Sequence, residues 1–317
     1  MVSLWYPARH GGQRAPWLPA AAARLYRQQA AQSLRTSLDD VDFPVTHARL
    51  GASVLAARRG HPVVLFSPGA GAMRESGTSL VEDLASRGYV VVTISHTYDS
   101  QIVEFPGGRL ELSMLPDKPT DAEYEAILRV RRDDTRFVLN SLSTLPPGLQ
   151  RALDLSRIGM FGHSLGGAAA AAAMARDPRI RVGADLDGSP VGDVVHTGLT
   201  RPFLLMASAG HGRENDPDWA EFWSHLRGWR RELNLRGSGH QTYTDLGQLA
   251  PQLIKALPIP PEVVDGLRND IGTINAGRAV AIQRAYLAAF FELHLRHRDD
   301  HLLDGPSRRY PEIEFVP

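Results

Sequence analysis

Short runs of valine, isoleucine and leucine alternate along the chain with stretches whose apolar residues recur at helical spacing. The runs "PVVLFSPG" (62–69), "YVVVTISH" (89–96), "RIGMFG" (157–162), "RVGADLD" (181–187), "PFLLMASA" (202–209) and "ELNLRG" (232–237) are apolar on successive positions. That pattern predicts strands buried on both faces. Between them the spacing predicts helices at about 74–87, 121–144, 165–176 and 217–230. Residues 277–298 form the longest amphipathic stretch, with Val280, Tyr286, Ala289, Phe290 and Leu293 at helical spacing, and predict a closing helix. The alternation predicts an α/β fold, a mostly parallel central sheet flanked by helices on both faces.

Apolar residues on either side of Pro106-Gly107-Gly108 predict a hairpin inserted at 101–113, placed to overhang a cleft. The proline-rich stretch 256–264 predicts a rim or lid within about 246–276. With no internal repeat and no linker between composition regimes, a single domain is expected over 1–317. The chain opens inside a predicted strand, "VSLWYPA", so residues upstream of Met1, a leader among them, are an expectation.

Composition adds exclusions. Basic and acidic residues are equal at 35 each and interspersed, which gives no electrostatic footprint for nucleic acid or an anionic membrane. Cysteine is absent, which removes disulfides, thiol nucleophiles and cysteine metal sites. No apolar run approaches the ~18 residues of a membrane span, and "MVSLWYPARHGG" has no basic region followed by an apolar one. The compartment therefore stays open: cytoplasmic if Met1 is the native start, secreted if a leader has been removed. A monomer is expected.

Gly162-His163-Ser164-Leu165-Gly166 has the form of a nucleophile elbow, a sharp strand-to-helix turn that lifts a serine hydroxyl above the sheet. The pentapeptide alone is weak; its context, an apolar strand before and the thin run Ala168 to Ala173 after, is what raises it. A helix starting at Leu165 would aim its amide dipoles and the Leu165 N–H at a developing oxyanion. "FSPGAGAMR" (66–74) leaves a strand through a glycine-bearing loop and offers Ala70 as the second donor. A serine needs a base and the base an orienting carboxylate. His240 follows the last predicted core strand in a small-residue loop and is the candidate base. His163, Gly69 and His96 are candidate substrate-binding residues, and His96, His196 and His211, near strand ends, are site lining or structure. For the acid, Asp187 ends the strand after the nucleophile helix, while Glu214 and Asp216 follow the next strand; periodicity does not choose, and Asp185 lies deeper. His294, His297 and His301, with Asp299 and Asp300, gather near a helix end, as cations do there, so no metal is expected.

Several of these motifs together resemble the plasma-type platelet-activating factor acetylhydrolases and their bacterial serine esterase and lipase relatives of the α/β-hydrolase superfamily. The likeness runs from "LWYPA" through "VVLFSPGAGAMRE", "LASRGYVVVTISHTYDS", "FPGGRL", "RIGMFGHSLGGAAA", "DLDGSP" and "GHQTYTDL" to "AAFFELHL" and "YPEIEF". It implies Asp187, in the pair Leu186-Asp187, as the acid, His240-Gln241 with Tyr243 and Asp245 as the base segment, and Leu165 and Ala70 as oxyanion donors. Pro68 departs from a histidine of the eukaryotic relatives; no N–H is required there, so the expected consequence is a stiffer loop. The implied reaction is hydrolysis of short-chain acyl esters or sn-2 acetyl phospholipids through an acyl-enzyme, with no cofactor. The alternatives are a lipase or cutinase-like polyester hydrolase, for which leucines and prolines near 253–261 would form an apolar rim, and a non-catalytic binding module.

Overall fold

The computed structural model describes residues 1–9 and 11–317. In chain order the strands are β1 (Val2–Trp5), β2 (Arg14–Pro16), β3 (Val45–Arg49), β4 (His61–Ser67), β5 (Val90–Ile94), β6 (Ile102–Glu104), β7 (Leu110–Leu112), β8 (Leu153–His163), β9 (Ile180–Leu186), β10 (Phe203–Ser208), β11 (Arg230–Leu235) and β12 (Ile313–Val316). The helices are α1 (Ala20–Leu34), α2 (Thr78–Ser86), α3 (Asp121–Ser141), α4 (Pro147–Gln150), α5 (Leu165–Arg176), α6 (Asp193–Thr197), α7 (Pro217–His225), α8 (Leu246–Ala256), α9 (Pro261–Ile271) and α10 (Ala276–Arg296).

Eight strands form the central sheet in the order β1-β5-β4-β8-β9-β10-β11-β12. The six inner strands run parallel, and β1 and β12 close the edges antiparallel. Alternation along β4 divides the core: Val64 and Phe66 join α2 and α10 on one face, and Val63 and Leu65 join α3, α5 and α7 on the other. This is the α/β-hydrolase fold that the resemblance implied, with the mostly parallel sheet that the strand runs predicted.

The differences from the sequence reading have physical causes. Helix α2 begins at Thr78 and not at 74, because Arg74 and Glu75 are buried in the approach and a Cβ on Gly77 would lie 2.6 Å from the Phe66 ring. Helix α7 stops at His225 and not at 230; the chain must turn into β11 past Thr200, 2.6 Å from where a Cβ of Gly228 would lie. Helix α1 buries only Ala22 and Leu34, so its apolar stripe was too thin to read. The segment 246–276 holds two helices, α8 and α9, and Pro260-Pro261 opens α9 instead of extending a loop. Between 101 and 113, β6 and β7 pair antiparallel.

Candidate active site

Three glycines let the β8–α5 turn close up. A Cβ on Gly162 would fall 2.1 Å from the Gly166 carbonyl carbon, one on Gly166 2.0 Å from the Ser67 carbonyl oxygen, and one on Gly167 1.7 Å from Asp185 Oδ1. Helix and strand thereby approach to a separation that no side chain permits, and the alanine run of α5 is buried apart from the half-buried Ala172, with Ala170, Ala171 and Ala173 in the core beside the sheet and Ala168 and Ala169 against α3. Ser164 sits at the turn with φ 56° and ψ −129°, a strained conformation held by the packing around it. Its N–H donates to the Leu186 carbonyl at 2.9 Å, which ties the turn to the end of β9.

One residue past β9, Asp187 adopts φ 61° and turns its carboxylate toward the loop after β11. Its Oδ2 accepts from His240 Nδ1 at 2.6 Å. Its Oδ1 accepts from the Ser208 N–H at 2.6 Å and from His211 Nδ1 at 2.8 Å. Burial works to raise this carboxyl's pKa, but the hydrogen bonds from His211, His240 and Ser208 outweigh it and hold the group below the ordinary carboxylate range. The His240 ring lies with its centroid 4.5 Å from that of His163, next to Ser164, and stays partly open to solvent. Among the described residues no hydrogen bond joins His240 to the Ser164 hydroxyl, a gap usual in unliganded serine sites. Downstream, Asp245 anchors the segment that carries His240: it accepts from Trp17 Nε1 at 3.0 Å and from the N–H groups of Thr78 and Ser79 at the start of α2. Burial pushes its pKa up to about 6.

The loop after β4 is braced from below. Arg131 of α3, with no exposed surface, grips Asp99 through Nε at 2.6 Å and Nη2 at 2.7 Å, and its other N–H groups reach the carbonyls of Pro68 and Gly69. Asp99 in turn accepts from the Gly71 N–H at 3.1 Å. These bonds tie the Pro68 and Gly69 carbonyls to α3, while the N–H groups of Ala70 and Leu165 donate no hydrogen bond among the described residues.

The structure thus brings together Ser164, Asp187, His240, Leu165, Ala70 and Gly69; a Cβ on Gly69 would lie 3.3 Å from Ser164 Cβ. Two of the candidate substrate contacts are corrected. His96 is wholly buried, its ring nitrogens taken by Ser67 Oγ and Asp134, so it supports the loop from beneath. His163 is also buried and holds the His240 carbonyl through Nε2 at 3.0 Å; burial, with His240 nearby, lowers its pKa to about 3. Asp185 lies buried under Gly167 and Gly188, and burial keeps its carboxyl well above the usual range. Glu214 stays outside, while Asp216 meets His211 and caps α7 through the Trp219 N–H. His294 packs on Trp229 and Phe290, and the helix ends before His297. Sequence reasoning missed Arg131, one of several arginines on a helix, and passed over the role of His211; the signal for the latter was a histidine between two candidate acids.

With an α/β-hydrolase fold and a strained serine beside a carboxylate–imidazole pair, the molecule falls in the class of that superfamily. The model of the family "Platelet-activating factor acetylhydrolase, isoform II" matches residues 1–106 and 132–299, and the chain belongs to that family. It is 35% identical over 276 residues to a probable 1-alkyl-2-acetylglycerophosphocholine esterase of Arthroderma benhamiae, covering 81% of this chain and 66% of that protein. It is 26% identical over 219 residues to the platelet-activating factor acetylhydrolase of Cavia porcellus, covering 61% and 50%. The chain spans about half to two thirds of the length of the curated relatives it matches. Among solved structures, a ferulic acid esterase from Streptomyces cinnamoneus superposes with a TM-score of 0.82 at 36% identity, over 100% of this chain and 88% of that one.

Proposed function

We propose that the chain is a serine esterase acting through an acyl-enzyme, with Ser164 as nucleophile, His240 as base and Asp187 as the acid that orients it. The observation that carries this reading is the 2.6 Å contact of Asp187 Oδ2 with His240 Nδ1, in a ring that packs against His163, the chain neighbour of the strained Ser164, and whose Nε2 makes no hydrogen bond among the described residues. Ser164 Oγ attacks the acyl carbon while Nε2 takes its proton. The developing oxyanion is met by the N–H groups of Leu165 and Ala70, each worth about 10²–10³ in turnover in comparable sites. Nε2 then returns the proton to the leaving alcohol, and a water deprotonated by the same nitrogen releases the acid. Asp187 stays ionised throughout, because its hydrogen bonds hold its pKa low.

The names of the relatives support short acyl esters, sn-2 acetyl phospholipids among them, as substrates. A second reading, esters of hydroxycinnamic acids, is favoured by the ferulic acid esterase, whose likeness spans the whole chain. We read the 317 residues as one domain, with β6–β7 and the α8–α9 region rimming the site. A panel of p-nitrophenyl acetate, an acetylated alkyl glycerophosphocholine and methyl ferulate tests both readings. Hydrolysis of the first two but not the third supports the acetyl-ester reading, and preference for methyl ferulate the other. Ser164→Ala should lose about 10⁶ in turnover on whichever substrate is cleaved; hydrolysis at the native rate would overturn the mechanism.

A further inference from the structure

Asp187 serves two imidazoles, and the second has no part in the mechanism above. His211, in the loop after β10, places Nδ1 2.8 Å from Asp187 Oδ1 and Nε2 3.1 Å from Asp216 Oδ2. A neutral imidazole carries one N–H, so it can satisfy only one of two carboxylate acceptors; its other nitrogen would set a lone pair against a carboxylate oxygen. Both contacts are favourable only when both nitrogens are protonated. We propose that His211 is a permanently charged positioning residue, an imidazolium clamp that holds one oxygen of Asp187 so that the other faces His240, with Asp216 balancing its charge. The proposal rests on the triad reading above.

The surroundings agree. Burial opposes the charge on His211, but the hydrogen bonds to Asp187 and Asp216 push its pKa up to about 9. Asp216, raised by burial and lowered by His211, Ser189 and the Trp219 N–H, comes out at about 2. From α7 the Trp219 ring meets the imidazole edge-to-face at 4.4 Å, and from β11 the Asn234 amide holds the His211 carbonyl at 3.1 Å. The other ionisable groups nearby are Asp185, deeper on β9 with its pKa raised by burial, and Arg213, engaged with Glu232 of β11. The clamp also fixes the carboxylate's rotation: Ser208 N–H and His211 hold Oδ1, and Oδ2 is left to the base.

A clamp and a structural bystander differ in the pH profile. The cation beside Asp187 offsets the negative field that this carboxylate sets at the base. His211→Gln keeps a donor toward Asp187 but removes the charge, so the acid limb of kcat/KM should move to higher pH by about half to one unit. Asp216→Asn, which keeps the α7 cap, removes a negative charge and should move that limb the other way by less. An NMR titration of the ring nitrogens in the unaltered protein should show His211 protonated on both at pH 7. A neutral His211, or an acid limb unmoved in both variants, overturns the clamp. If Ser164→Ala is inactive in either case, the triad reading survives that failure; if Ser164→Ala hydrolyses esters at the native rate, the triad itself has failed.

Discussion

Single side chains at this site act mostly by holding other groups, and their loss should register as lost support. Arg131 is the clearest case. Its guanidinium is wholly buried against Asp99 and two loop carbonyls, so Arg131→Met would leave a buried carboxylate unpaired and should destabilise the fold by about 3–5 kcal/mol. Urea denaturation followed by circular dichroism reads that change, and a loss under about 1 kcal/mol would show the pair to be dispensable. Asp187→Asn keeps the shape of the site but presents the wrong hydrogen-bonding pattern to His240, and should reduce kcat by about 10⁴. Ser164 and His240 were legible in the sequence because each stands alone in a small-residue turn after a strand. Asp187 was not separable from Asp216 by periodicity, and the reason is physical. Both carboxylates converge on His211 across the ends of neighbouring strands, an adjacency that only the sheet order creates.

At the level of elements, the site depends on how closely α5 and β8 meet. Gly166→Ala would drive a methyl group to 2.0 Å from the Ser67 carbonyl oxygen. Neither element can yield without moving Ser164, so this variant should be inactive and melt well below the parent; a folded protein with native activity would contradict the account of the turn. The segment that carries His240 has its own anchor in Asp245, whose carboxylate accepts from three donors of Trp17 and α2. Asp245→Ala leaves the Ser79 N–H without its acceptor, while Trp17 Nε1 and the Thr78 N–H keep the Glu75 carbonyl, and should cost about 1–3 kcal/mol, measurable in the same denaturation. The elements that build this core were legible for different reasons: the parallel strands are apolar on successive positions, the glycine-flanked serine and the alanine run mark α5, and α10 is the longest stretch with apolar residues at helical spacing. Helix α1 and the pair α8–α9 were not, since α1 buries few residues and the prolines near 260 look like loop residues although they open a helix. Edge strand β12 is short and half-exposed, and its pairing with β11 depends on a chain end some 80 residues away reaching back to the sheet.

Across the whole molecule the charges of the clamp link stability to pH. His211, raised from 6.5 to about 9, contributes stability that is complete below about 6.5 and is lost as pH climbs through 9. Asp216, lowered from 3.8 to about 2, contributes above 3.8 and loses its share as pH falls through 2. Thermal melting of the parent and His211→Gln should therefore differ most between about pH 4 and 6.5 and converge above 9; a constant difference across that range would place the charge elsewhere. The central claim, that one serine is made nucleophilic by a relay assembled from distant parts of the chain, is tested most directly by fluorophosphonate labelling followed by peptide mass spectrometry. The account predicts a single adduct, on Ser164, formed rapidly by the parent and slower by orders of magnitude in His240→Ala. An adduct on another residue, or equal labelling rates with and without the imidazole, would contradict it.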